Sequence, residues 1–418
     1  MKTRLSVGPA LIAAVAALCA AGGAWAAPAQ RAVYRVINLG DPGGGTNTQG
    51  TSDNQPGWVV GFAALPGNAL LHAELWRDGA AVDLGTLGGP NSAVAWPNHN
   101  DHGLIVGISE TAEMQPLGEV WSCSLAVFFG APPDGHVCRG FIWRDGHMTG
   151  LPTLGGTNGF ATGVNNRGQI VGWAENTTHD PTCDEFNDTH QVLQFEAVRW
   201  MREHGHYRAH VLPPYPGDLD GAATAINQLG QVAGISGICD GAVGGATAEH
   251  MVVWWHGRVQ RLLPTLGGSY WNTPMDINNR GDVVGFSDLA GDGPLAPNFN
   301  AFFWSAHPFE CNGADIAGGT CDLGVAAGDS VSEALGVNDR GQVVGASFGA
   351  ADPFGRAFIW QDGRMTDLNT LVAPGTTLFL TDAQEINDRG VITGQALVPA
   401  TQALVAFKAV PIGVSADR

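Results

Sequence analysis

Two sets of residues in this sequence have the types that bind or cleave polar ligands, and both precede segments that read as first strands of a repeated unit. The acidic set is Asp218, Asp220, Glu333 and Asp382. The aromatic set is Trp96, Phe160, Tyr270 and Trp271. Paired carboxyl groups serve as general acid and base, and carboxylates beside exposed aromatic rings suit sugar binding as well as sugar cleavage. These eight are the candidate ligand-binding residues.

No catalytic motif of known mechanism accompanies them. The sequence has no G-x-S-x-G elbow, no Walker loop and no H-E-x-x-H zinc motif. Its glycine-rich Leu-Gly-Gly segments open no helix, which argues against a phosphate-binding loop. No catalytic residue is therefore assigned, and acid–base chemistry depends on whether the fold brings the carboxyl groups together.

We predict no metal and no cofactor, with calcium kept as an alternative. Segments 218–221 and 288–293 place carboxylates in glycine-rich loops, as calcium sites do, but neither matches a complete calcium loop. The three histidines of segment 203–210 would share one strand face. No nearby cysteine or carboxylate pattern completes a transition-metal site around them.

The elements that must position these residues are seven copies of N-x-x-G-x-x-x-G. They begin at Asn54, Asn100, Asn165, Asn227, Asn278, Asn338 and Asn387. Each Asn accepts a hydrogen bond from its own backbone, and the first Gly takes the positive φ that closes a short turn. Short runs rich in Val and Ile flank the turn and indicate two antiparallel strands. Turn closure and packing explain the recurrence without a role in function.

A third strand ends in Trp in six copies, as in Ile142-Trp143 and Ile359-Trp360, and an Asp-Gly or His-Gly hairpin turn usually follows. A fourth strand then leads into Leu-Gly-Thr-Leu-Gly-Gly or a variant of it. Four short antiparallel strands per copy are typical of a β-propeller blade.

Segment 34–40 resembles a fourth strand without the first three, and segment 403–410 resembles a third strand without a fourth. The two complete one blade and so leave no sheet edge open. The sequence therefore predicts an all-β protein with a seven-bladed β-propeller of four-stranded antiparallel blades. Combining N- and C-terminal strands closes its ring, and residues 27–418 form a single domain.

Three insertions interrupt the regular blades. Segments 110–137 and 175–193 fall between second and third strands, and segment 305–320 falls between a third and a fourth. Loops between second and third strands share a face with the Leu-Gly-Gly connections, and we call it the looped face. Long loops on a rigid scaffold often carry function, so we expect the ligand there and not on the Asn-x-x-Gly turns.

Residues 1–26 have the basic start, apolar centre and Ala24-Trp25-Ala26 end of a secretory signal peptide. No later run has the roughly 18 apolar residues that a membrane helix needs. An exported chain, secreted or periplasmic, is expected to form disulfides. We predict the pairs Cys123–Cys138, Cys183–Cys239 and Cys311–Cys321, with all six cysteines in insertions and none in a blade core.

The formal net charge is −19, with 39 acidic and 20 basic residues. This excess of negative charge disfavours nucleic acid and anionic lipid as partners. An acidic surface also keeps a protein soluble, and we expect a monomer.

The repeats resemble the HAF-repeat family of extracellular repeat proteins over essentially the whole mature chain. Matching segments are Asn300–Trp304, Arg356–Trp360, Thr86–Gly89, Thr265–Gly268 and Val337–Gly341. The resemblance implies an exported, propeller-like protein, and it implies no activity or catalytic residue.

Two function hypotheses follow. The favoured one is a non-catalytic binding or interaction module whose looped face takes a protein or a glycan. The alternative is a polysaccharide hydrolase or lyase on a propeller scaffold. What separates them is whether two or three of the named carboxyl groups converge within reach of one sugar bond.

Overall fold

The structure is a computed structural model that describes residues 31–415 apart from 99, 121, 124, 126–134, 185–190, 240–247, 294–297 and 350–353. The segment predicted as a signal peptide lies outside this part. In chain order the strands are β1 (Arg31–Gly40), β2 (Thr48–Asp53), β3 (Val59–Ala64), β4 (Leu71–Arg77), β5 (Ala80–Asp83), β6 (Gly88–Ala93), β7 (Ile105–Met114), β8 (His136–Arg144), β9 (His147–Gly150), β10 (Gly159–Val164), β11 (Ile170–His179), β12 (Leu193–Glu203), β13 (His206–Val211), β14 (Asp220–Ile226), β15 (Val232–Gly237), β16 (His250–Trp255), β17 (Arg258–Leu263), β18 (Thr273–Ile277), β19 (Val283–Asp288), β20 (Phe299–Ser305), β21 (Phe309–Cys311), β22 (Ala314–Ile316), β23 (Gly319–Gly324), β24 (Val331–Val337), β25 (Val343–Phe348), β26 (Arg356–Gln361), β27 (Arg364–Asp367), β28 (Phe379–Ile386), β29 (Ile392–Val398) and β30 (Ala403–Ser415).

These strands form seven four-stranded antiparallel blades, as the sequence predicted. Blades 1 to 4 are β2–β5, β6–β9, β10–β13 and β14–β17. Blade 5 is β18, β19, β20 and β23, with β21 and β22 as a separate hairpin, and blade 6 is β24–β27. Blade 7 has the order β1-β30-β29-β28, so strands from the two ends of the chain close the ring. Among the described residues, no helix is long and apolar enough to cross a membrane.

The first strand of each blade lies innermost, around the central channel. Contacts run in turn from β10 to β14, β18, β24, β28 and β2. Each first strand begins near the looped face and ends at its turn asparagine. A residue early in such a strand is therefore closer to the looped face than the asparagine that ends it.

The Asn-x-x-Gly turns close as predicted. The Oδ1 atom of Asn165 accepts hydrogen bonds from the backbone N of Arg167 and of Gln169, both at 3.1 Å. Gly168 has φ +70°, a conformation that glycine adopts without strain.

The same asparagines also join the blades to one another. In each turn, Nδ2 donates to the backbone oxygen of the turn asparagine in the next blade, at 2.9–3.3 Å. The seventh bond runs from Asn387 to Asn54 and closes the circle. We call this circle of seven buried turn asparagines the asparagine belt. Its role in joining blades was not part of the sequence prediction.

Removing one belt side chain is expected to weaken the whole ring. Asn165→Ala leaves two backbone N–H groups and the carbonyl of Asn227 without their partners. Since unsatisfied buried groups are costly, we expect a loss of about 2–4 kcal/mol in the free energy of unfolding, measured by denaturant titration. Asn38→Ala is the control, because Asn38 is exposed and its side chain accepts a local hydrogen bond from the backbone N of Gly40. A loss no larger than that of the control would show that the belt does not stabilise the ring.

The predicted disulfide pairs are confirmed: Cys123–Cys138, Cys183–Cys239 and Cys311–Cys321. Disulfides are typical of proteins from oxidising compartments. The prediction that no cysteine lies in a blade core is wrong. Cys138 lies in β8 and Cys321 in β23, and both are buried. Each of these two bridges joins a blade strand to an inserted segment, and so anchors that segment to the blade.

Candidate functional site

The pairing of first and second strands places one residue of each first strand at the same height along the axis of the ring, and we call this height the shared level. Each of these residues pairs with the residue that follows the second glycine of the repeat motif. They are Gln49, Ala93, Phe160, Ala222, Thr273, Glu333 and Asp382. The level is apolar on blades 2 to 4 and polar on blades 5, 6, 7 and 1. Of the candidate residues, it brings Glu333 and Asp382 together on neighbouring blades.

Asp382 is the centre of a hydrogen-bonded group that extends from blade 7 to blade 1. Its Oδ1 accepts from Gln384 Nε2 at 3.0 Å and from Gln395 N at 3.1 Å. Gln49 Nε2 lies 3.4 Å from both carboxylate oxygens. Together with Glu333 of blade 6, these five half-buried residues form what we call the carboxylate–amide network.

Burial raises the pKa of both carboxyl groups, Glu333 and Asp382, toward neutral pH. Desolvation, with a smaller effect from the charge of Asp382, raises the pKa of Glu333 to about 7. Desolvation also raises the pKa of Asp382 to about 6, although its hydrogen bonds with Gln384, Gln395 and Gln49 oppose the rise. At pH 7 Asp382 is mostly ionised and Glu333 about half protonated. The network therefore places a proton donor near a carboxylate, with neutral amides beside them.

Gln49, Gln384 and Gln395 are not among the candidate residues predicted from the sequence. A signal for Gln49 was present, because it lies five residues before a turn asparagine, as Glu333 and Asp382 do. The other two glutamines have no such signal, since only their contacts with Asp382 distinguish them.

Three of the candidate aromatic residues, Trp96, Phe160 and Trp271, belong to or pack against one apolar cluster and not the carboxylate–amide network. Trp96 and Phe160 are buried and form a cluster with Trp173, with ring centroids 4.7–6.1 Å apart. Trp271 is half-buried and stacks on Phe299 at 6.2 Å, and Tyr270 beside it is also half-buried. Trp96 and Phe160 thus belong to the core, while Trp271 and Tyr270 keep part of their surface exposed.

Asp218 and Asp220 lie apart from the carboxylate–amide network. Asp218 accepts hydrogen bonds from Ser236 Oγ at 2.5 Å and is paired with His250 Nδ1 at 2.9 Å. Asp220 is completely buried. Burial and a hydrogen bond with the carboxyl group of Asp180 raise its pKa well above the usual range. The contact between the carboxyl groups of Asp180 and Asp220 ties the 175–193 insertion to blade 4.

A cavity of about 120 Å³ opens on the opposite face, among the Asn-x-x-Gly turns. Its polar lining is already used between blades, because the residue after each belt asparagine joins a second circle of hydrogen bonds. In that circle Asp101 N donates to Asn166 Oδ1 at 2.6 Å, and Asp339 N donates to Asp388 Oδ1 at 2.9 Å. The polar residues that line this cavity therefore serve to join the blades, and we do not interpret the cavity as a ligand site.

Within the described ranges, one group of three side chains has the spacing of a metal site, and it consists of Glu110, Cys123 and Cys138. Those two cysteines form a disulfide, so they supply no thiolate ligands.

No protein-family model matches the sequence. No curated protein matches it either. Among solved structures, a gluconolactonase from Xanthomonas campestris is 12% identical, with a TM-score of 0.33 over 66% of this chain and 82% of that one. An ulvan lyase of a polysaccharide lyase family is 10% identical, with a TM-score of 0.39 over 90% of this chain and 94% of that one. These scores are too low for the likeness to bear on the activity of this chain.

Proposed function

We propose that this chain is an exported, non-catalytic binding module that takes a hydroxyl-rich ligand, a glycan, at the mouth of the channel on the looped face. The observation that carries the proposal is the carboxylate–amide network. Three disulfides and the predicted signal peptide support export.

The chemistry of the network suits sugar hydroxyl groups. Each hydroxyl both donates and accepts a hydrogen bond, and the network offers carboxylate acceptors beside amide groups that do both. Its members are half-buried, so a ligand reaches them while competition from water is reduced. The negative charge of the network disfavours acidic polymers, and neutral glycans fit it best.

A panel of neutral and acidic glycans, screened against the purified mature protein and followed by calorimetry, tests the proposal. We expect Asp382→Asn and Gln49→Ala each to weaken glycan binding about tenfold, the effect of losing one or two hydrogen bonds. The control is Asp145→Asn, at an exposed hairpin turn. A glycan that binds equally well to Asp382→Asn and Gln49→Ala would place the site elsewhere.

Glycan cleavage by a hydrolase or lyase is the second candidate, favoured by the raised pKa values of Glu333 and Asp382. These values suit a general acid and base near neutral pH. Incubation of the same panel, assayed for new reducing ends and unsaturated products, tests this alternative. Turnover that Glu333→Gln abolishes while binding persists would establish an enzyme and contradict the non-catalytic proposal.

A further inference from the structure

Three blades place an acidic residue in the second strand, three residues after the second glycine of the repeat motif, against the second glycine of the Leu-Gly-Gly connection. The acidic residues are Glu110, Glu175 and Asp288. They pack against Gly89, Gly156 and Gly268 so closely that a Cβ at the glycine would lie only 2.4–2.5 Å from the Cβ of the acid. The three carboxyl groups therefore occupy equivalent positions on the looped face.

In blades 2 and 3 the chain itself satisfies this carboxylate. Glu110 Oε2 accepts from the backbone N and from Nδ2 of Asn91, both at 2.8 Å. Glu175 Oε2 accepts from the backbone N of Thr157 at 2.9 Å and of Asn158 at 2.8 Å. Each carboxylate thus caps the connection that leads into the first strand.

Blade 5 has the same position but not the same partners. Asp288 is one methylene shorter than Glu, and Tyr270 and Trp271 are inserted before Asn272. The Oδ1 atom of Asn272 accepts from Ser287 Oγ at 2.6 Å and lies 3.3 Å from the backbone N of Asp288. This asparagine therefore contacts the backbone of Asp288 and not its carboxylate.

The carboxylate of Asp288 is completely buried, and neither oxygen has a hydrogen bond of ordinary geometry with a described residue, although the backbone N–H groups of Asn298 and Leu289 face it. Oδ2 of Asp292 is also buried without a hydrogen-bonding partner. Burial and the charge of Asp292 raise the pKa of Asp288, and the backbone N–H groups of Asn298 and Leu289 only partly oppose that rise. The Leu289 N–H already donates to the carbonyl of Asn298 at 3.1 Å.

Two neighbouring carboxyl groups with three buried oxygens that lack well-formed hydrogen bonds are unfavourable when ionised, and a bound cation would compensate their charge. We propose that Asp288 and Asp292 bind a calcium ion, with loop carbonyl oxygens and water completing the shell. Calcium takes oxygen ligands in flexible geometry, whereas zinc prefers His and Cys. The site is separate from the carboxylate–amide network, and it would hold the 288–293 loop beside Trp271.

Terbium luminescence detects this site directly, because Tb³⁺ replaces Ca²⁺ and is excited through a nearby indole. The backbone O of Trp271 accepts from Asp288 N at 3.1 Å, so Trp271 lies beside the first proposed calcium ligand. We expect sensitised emission that Ca²⁺ displaces with a Kd on the order of 10⁻⁴–10⁻³ M. Asp288→Asn and Asp292→Asn should each weaken binding at least about tenfold. Trp271→Phe should lose the emission yet keep calcium binding.

Thermal melting of the mature protein in CaCl₂ and in EDTA gives an independent readout. At 100 times Kd, calcium should raise the Tm of the wild type by roughly 3 °C. Asp288→Asn should melt no lower than the wild type in EDTA, because it removes an uncompensated charge, and should not respond to calcium. The exposed-turn variant Asp145→Asn is the control and should respond as the wild type does. An unchanged wild-type Tm without terbium emission, or a full calcium response in Asp288→Asn, would overturn the proposal.

Discussion

Deleting residues 403–418 should leave the chain unable to form its closed ring. β30 is the central partner in blade 7, since it pairs with β1 at nine positions and with β29 at seven. Without it β1 has no sheet to join, and the edge of β29 is exposed. We expect loss of the cooperative melting transition and aggregation, measured by circular dichroism and size-exclusion chromatography.

A shorter deletion provides the control. Removing only residues 412–418 takes away the pairs of Arg31, Ala32 and Val33 but keeps the register from Tyr34 to Gly40. That variant should remain folded, with a Tm only a few degrees below that of the full chain. If both deletions melted alike, blade 7 would not depend on the third strand that closes it.

Raising the pH should destabilise this protein, with Glu74 as a main cause. Glu74 lies in β4 opposite Gly61. The equivalent positions in the other blades, which also face the second glycine of the motif, hold only apolar residues: Phe141, Val198, Val252, Phe302, Phe358 and Phe407. Its neighbours Ala73 and Leu75 pack toward blade 2, so Glu74 faces blade 7. A carboxyl group thus occupies an apolar position at the interface where the ring closes.

Glu74 is 2% exposed, and no described residue forms a hydrogen bond with its carboxyl group. Burial, with a smaller effect from the charge of Asp83, raises its pKa from 4.5 to about 8. A raised pKa means that the folded state holds the proton more tightly than the unfolded state does. The resulting stability is fully present below pH 4.5 and is lost as the pH rises through about 8.

Glu74→Gln should remove this dependence, because the amide stays neutral at every pH. Between pH 5 and pH 9 we expect the wild type to lose about 4 kcal/mol more unfolding free energy than Glu74→Gln does. Denaturant titrations at both pH values measure the difference. Glu113→Gln, at an exposed position, should follow the wild type. Parallel pH profiles for wild type and Glu74→Gln would show that Glu74 is not the group responsible.

The blade architecture could be predicted from the sequence because it depends on contacts between residues that are close together along the chain. Asn165 and Gly168 close their turn with bonds to residues at most four positions away. Residues such as Asp145 and Gly146, both with positive φ, form the next hairpin in the same way. Two terminal segments that each lack their partner strands were then enough to predict how the ring closes.

The candidate site was only partly accessible to the same reasoning. Glu333 and Asp382 were selected by their place before the turns, but whether they meet depends on the shared register of neighbouring blades. Trp96, which was also selected from the sequence as a candidate binding residue, is buried against Phe160 and Trp173. Side-chain type does not distinguish a residue at the channel mouth from a residue of the core.

The sequence alone therefore determined the seven blades and their closure, since turn chemistry and strand patterns depend on neighbours along the chain. Six cysteines allow 15 connectivities, and the structure decided among them in favour of the predicted pairs. Only the tertiary structure decided the asparagine belt, the burial of Glu74, the contact between Asp180 and Asp220, and the buried carboxylate of Asp288. The physical reason is that ring closure brings together residues 46 to 65 positions apart, as in the bonds from Asn54 to Asn100 and from Asn100 to Asn165. Burial and partners across blades exist only after that closure.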